Sequence, residues 1–138
     1  MRVFRRGTAG ERGAVAVEFA LILPILLLIV VGTIEFGRVY SQVQVYNGAA
    51  REGARCAAVM ATAFADCNTL AEVQTRIDNA SDPYADPPDA TITPSTGCTD
   101  DTIGDDVNVS WEQPMRLDIP FWGDVSFTST IEATFRCE

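Results

Sequence analysis

The pattern of hydrophobic and polar positions changes character twice along the chain, and each change marks a different kind of element. Residues Gly13–Ile34 read GAVAVEFALILPILLLIVVGTI, and from Phe19 to Val31 no side chain is charged or polar. A membrane-spanning helix needs roughly 20 mostly apolar residues to cross about 30 Å of hydrocarbon. Residues 14–34 meet that length and lack the polar face that a core helix of a soluble domain would show. Pro24 lies inside the run, where a membrane helix tolerates it more readily than a soluble one. A cleaved secretory signal fits less well, because Val30–Glu35 offers no small-residue cleavage site.

Past the apolar run, Phe36, Val39, Tyr40, Val43, Tyr46, Ala50, Ala54 and Ala57 recur at steps of three and four, one stripe of a helix. One helix from Val15 to about Val59 is predicted, on the order of 65 Å long. Residues 14–34 would lie in the membrane and residues 35–60 would stand outside it. Glu35/Arg38 and Glu52/Arg55 are i,i+3 pairs on its surface. The pattern breaks around Ala61–Cys67. Thr69 and Glu72 then form a capping-box signature, and Leu70, Val73 and Ile77 predict a short second helix ending near Ala80.

After the Pro/Asp stretch Asp82–Asp89 the period becomes two. Ala90–Thr93, Val107–Glu112 and Val125–Phe135 read as strands, and Val125, Phe127, Ser129, Ile131, Ala133 and Phe135 share one face of the last. Pro114–Asp124, with Pro120-Phe121-Trp122, is expected as a connection whose aromatics form a core plug or an exposed tip. The fold class is α+β: a long membrane-spanning helix running into a small extracytoplasmic domain, residues 61–138, with a short helix and an antiparallel three-stranded sheet.

Charge supplies the orientation. Arg2, Arg5, Arg6 and Arg12 against Glu11 make the start of the chain basic, whereas only Arg76, Arg116 and Arg136 oppose the acids from Asp66 onward. Basic flanks stay in the cytoplasm, so the acidic part is expected outside a cytoplasmic (inner) membrane crossed once. An acidic exterior argues against nucleic acid as a partner. All four cysteines, Cys56, Cys67, Cys98 and Cys137, follow the apolar run, on the side where disulfides persist. Their number leaves the connectivity open. A zinc site is the weaker reading, since no CxxC spacing and no histidine is present. A Cys56–Cys67 bridge would clip the two helices together if the chain turns between them. In a three-strand meander Cys98 and Cys137 fall at one end of a strand pair, which makes Cys98–Cys137 the preferred second bridge. Asp100, Asp101, Asp105 and Asp106 have carboxylates suited to calcium but lack EF-hand spacing, and the simpler reading is a solvated loop. No histidine, lysine, G-x-S-x-G or phosphate loop occurs, so no enzyme and no cofactor is expected.

The junction at Gly13 carries the most specific signal. A basic leader, residues 1–13 with no apolar periodicity, ends in Gly13; Ala14-Val15-Ala16-Val17-Glu18-Phe19 and the apolar helix follow. This resembles the class III signal of type IV pilins. The resemblance implies cleavage between Gly13 and Ala14 by a prepilin peptidase. Ala14 and Glu18 lie one helical turn apart, and a carboxylate in hydrocarbon is costly unless paired. In pilins the partner is the N-terminal amine of a neighbouring subunit, which implies an assembly role for Glu18 and Phe19. The stretch Arg12–Val59 further resembles the TadE-like family, minor pilins or pseudopilins of tight-adherence (Tad/Flp) systems. Gly13, Val17-Glu18-Phe19-Ala20, Leu23-Pro24, Gly32, Glu35-Phe36-Gly37-Arg38 and Ala49-Ala50-Arg51-Glu52-Gly53-Ala54-Arg55 carry it. It implies a pilin-like architecture, with the membrane, a prepilin peptidase, other pilins and Tad assembly-platform proteins as partners, and a place at the pilus or cell surface. The alternative is an uncleaved, single-pass anchor that displays a binding module.

Overall fold

The computed structural model describes residues 9–60, 67–119 and 123–138. Helix α1 spans Ala9–Ala58, 50 residues, or about 75 Å. It begins earlier than the pattern predicts: Ala9–Gly13 is helical, where a disordered leader is the sequence expectation. Extending an existing helix adds hydrogen bonds without a new nucleation cost, so two glycines at the start do not stop it. Met1–Thr8, with Arg2, Arg5 and Arg6, lie outside the described residues, as do Ala61–Asp66, where the sequence pattern breaks.

Helix α2 spans Leu70–Ala80. Its start follows from the capping box: the Glu72 backbone N–H donates to Thr69 Oγ1, and the Glu72 carboxylate accepts from the Asn68 and Thr69 N–H groups at 2.6 and 2.9 Å. The bond from Asn68, aided by those from Thr69, holds the Glu72 carboxyl below its ordinary pKa, against a smaller opposing effect of desolvation.

Three antiparallel strands follow, β1 (Thr91–Thr93), β2 (Asp106–Ile119) and β3 (Gly123–Arg136), in the spatial order β1-β2-β3. The second strand is longer than its local pattern, and Pro114–Ile119 belongs to it rather than to a connection. The reason is long-range: β3 pairs with it from Asp106↔Arg136 down to Ile119↔Gly123. Proline removes one ladder donor, but β1 covers only Asn108–Ser110, so Pro114 sits where β2 has a single bonded neighbour. Pro120-Phe121-Trp122 lies outside the described residues.

The core lies between the outer half of α1 and everything after it. Val73 and Ile77 of α2, Val107, Val109, Trp111 and Met115 of β2, and Ile131 of β3 pack on Tyr46, Ala49, Ala50, Ala54 and Ala57 of α1. The small residues of α1 let the other elements approach its backbone. Gly53 marks the tightest point, for a Cβ there would stand 2.5 Å from Ile77 Cγ1. Trp111 Nε1 donates to Gln113 Oε1 at 3.1 Å, so the buried indole N–H is satisfied. The shared face of β3 is only partly covered: Ile131 is buried, whereas Val125, Phe127 and Phe135 are exposed.

Two disulfides close the far end of α1. Cys56–Cys67, with Cα atoms 5.3 Å apart, ties it to the approach to α2, and Cys98–Cys137, at 5.6 Å, joins the loop before β2 to the end of β3. The Cys98 N–H donates to the Ala57 carbonyl and the Glu138 N–H to that of Ala58, which gives the last carbonyls of the helix partners.

Candidate functional site

Helix α1 has two halves with opposite surroundings. Val39, Tyr46 and the alanines from Ala49 onward are buried under the domain, but from Gly13 to Val30 every side chain faces outward. The apolar run is long and apolar enough to cross a membrane, and none of it is buried within the chain. A core helix would have found a partner. An unburied apolar surface of this extent is stable only in lipid or against other helices.

Within that surface Glu18 is the one acid between Gly13 and Ile34. It is exposed, and among the described residues it makes no hydrogen bond or ion pair. Ala14 lies one turn before it on the same face, Phe19 is exposed beside it, and Gly13 has open space around its Cα. The unburied helix therefore presents an unpartnered carboxylate one turn from the residue that follows Gly13. Such a group, placed in hydrocarbon, calls for a cation from elsewhere.

The outer half works differently. Arg38 pairs with Glu35 at 2.8 Å and also donates to the Arg116 carbonyl of β2 at 3.2 Å, which ties the helix to the hairpin. The Glu35 hydrogen bond raises the Arg38 pKa further, so this guanidinium is always charged. Glu52 turns to Arg76 of α2, at 3.6 Å, rather than to Arg55, because α2 crosses α1 there. Tyr46 donates to the Ala85 carbonyl, anchoring the Pro/Asp loop; burial, then nearby Tyr84 and Asp86, raises its pKa.

Residues 13–55 match the family of TadE-like proteins. Over that stretch, less than half of the chain, the N-terminal helix is similar to that family. The match covers the exposed apolar half and most of the buried small-residue seam, and ends before α2. No curated protein and no solved structure matches the chain. On helix α1, the seven residues Ala49–Arg55 are the seam on which the domain sits, with Ala49, Ala50 and Ala54 fully buried. The stripe read from the sequence is covered unevenly. Val39, Tyr46, Ala50, Ala54 and Ala57 are buried, whereas Phe36 and Tyr40 are exposed.

The remaining candidates do not assemble into a site. Asp100 and Asp101 open a 3-10 turn, and no group of three or more metal-ligating side chains gathers among the described residues. A groove of about 740 Å³ opens beside Glu52, Arg55, Arg76 and Phe135 and is an open, mixed-charge depression.

Proposed function

We propose that the chain is a minor pilin or pseudopilin of a Tad pilus system, held in a cytoplasmic membrane by the apolar half of α1 with its domain outside. A prepilin peptidase would cleave between Gly13 and Ala14, and the new amine of one subunit would pair with Glu18 of the next as helices pack in pilus assembly and surface adhesion. The observation that carries this reading is the lone Glu18, with no partner among the described residues, one turn from Ala14 in the unburied apolar half of a helix similar to that of TadE-like proteins. Helix packing around it would join the subunit to other pilins and to the Tad assembly platform. The role is structural rather than enzymatic, in keeping with TadE-like proteins as a family.

The test is Glu18→Ala in the producing cell. Loss of piliation, with both disulfides formed and the protein at normal level in the membrane, is the expected result. Wild-type piliation would overturn the assembly role. One observation favours a second reading, an uncleaved single-pass anchor displaying a binding module: α1 runs unbroken through Gly13, whereas a peptidase needs an extended substrate. In that case residues 1–13 persist in the membrane form.

A further inference from the structure

The β2–β3 hairpin runs back along α1 toward the apolar half. Its open end lies at the far end of the helix, where the Glu138 N–H meets the Ala58 carbonyl, and lower down Arg38 reaches the Arg116 carbonyl. From Ala58 to Arg38 the helix covers about 30 Å. From Asp106 to Arg116 the strand covers about 33 Å. The two therefore descend side by side. Below Arg116 the hairpin continues to Ile119↔Gly123, roughly 10 Å more, which matches about seven residues of helix. The pair Ile119↔Gly123 thus reaches the level of Val31, just inside the outer limit of the apolar run at Ile34.

The geometry points to a second membrane contact: the lower part of the hairpin, Leu117–Ile119 paired with Gly123–Val125, rests in the headgroup layer of the outer leaflet, beside the point where α1 emerges. This rests on the reading that residues 14–34 span the bilayer. The interfacial layer adds about 5–7 Å on each side of the hydrocarbon. Leu117 and Val125 fall within that slab, with Ile119 just below its inner edge, Phe127 and Tyr40 at its outer edge and Phe36 between them. Val125 is 47% and Phe127 43% exposed, and Phe36 and Tyr40 are more so, although the strand face they continue is core at Met115 and Ile131. Aromatic and apolar side chains at headgroup level are stabilised there, half in lipid and half wet. On the other face of the hairpin Asp118 stands opposite Asp124, with Arg116 nearby. Two facing carboxylates disfavour an anionic surface, so the occupant is a zwitterionic headgroup layer whose amines can meet them. The contact would fix both the tilt of α1 and the side of the domain that faces the membrane.

The test uses the full chain in nanodiscs of zwitterionic phospholipid carrying a small fraction of headgroup spin-labelled lipid, read by amide NMR. Strong signal loss is expected at Leu117–Ile119 and Gly123–Val125, fading through Phe127 to none at Asp106–Asn108 and Thr134–Arg136. Loss at Ile34–Arg38 of α1 with none at the hairpin end would overturn the second contact and leave the spanning helix standing. No loss at Ile34–Arg38 would overturn the span itself, and the contact with it.

Discussion

The crossing of α2 over α1 can be tested by a sign reversal. Gly53 sits mid-helix, where alanine is normally better by about 0.8–1.0 kcal/mol. In this protein the added Cβ would stand 2.5 Å from Cγ1 and 2.7 Å from Cδ1 of Ile77, which is fully buried and has nowhere to move. Overpacking of this kind costs about 1–3 kcal/mol, so Gly53→Ala should destabilise the domain by roughly 0–2 kcal/mol after the helix gain. Ile77→Ala alone should cost about 2–5 kcal/mol, since it empties the same contact. Once Ile77 is gone, Gly53→Ala meets no obstacle and should stabilise by up to about 1 kcal/mol. The double-mutant cycle thus has a coupling of about 1–3 kcal/mol, within the range of contacting pairs. Denaturant unfolding of the full chain in mild detergent, followed by the fluorescence of buried Trp111, reads all four proteins. Stabilisation by Gly53→Ala in the otherwise unchanged chain, equal to that in the Ile77→Ala background, would refute the close crossing.

Two further predictions concern the same domain. The Glu72 carboxyl has a lower pKa folded than unfolded, so its contribution is present above the unfolded carboxylate value and is lost as pH falls through the folded one. Thermal unfolding across the acid range should therefore show a smaller acid-induced loss in Glu72→Gln than in the unchanged chain, and equal losses would count against the cap. The bridges close loops of 39 and 11 residues, for which chain entropy gives about 4 and about 3 kcal/mol. Replacing Cys98 and Cys137 together by serine should thus lower the unfolding midpoint more than replacing Cys56 and Cys67, and the reverse order would show that native-state effects outweigh loop length.

What the sequence made legible divides by the range of the interaction. The α2 start was readable because Thr69 and Glu72 cap it through bonds three residues apart, and the apolar run because length and composition are local properties. The extent of β2 was not, because Gln113–Ile119 contains a proline and two charges and becomes a strand only through its partner, Ser129 back to Gly123. The helix start at Ala9 was hidden for a similar reason: glycines read as breakers when the helix beyond them is ignored. No residue type signals that Val39 of the α1 stripe is covered and Tyr40 is not, because which side chains are covered depends on where the hairpin lies. Val125 and Phe127 are exposed on the face where Ile131 is buried, since a strand's alternation says which side chains share a face and not which of them are covered. The lone Glu18 was visible at once in the sequence, and the structure adds that the described residues of its own chain supply it no partner.

Processing at Gly13 separates a pilin from a static anchor, and the intact mass of the protein extracted from membranes or pili of the producing cell tests it most directly. A species beginning at Ala14 is the predicted result, with a mass shift on reduction and alkylation that corresponds to two disulfides. A species that retains residues 1–13 would contradict the processed-pilin account and leave the static, single-pass anchor in its place.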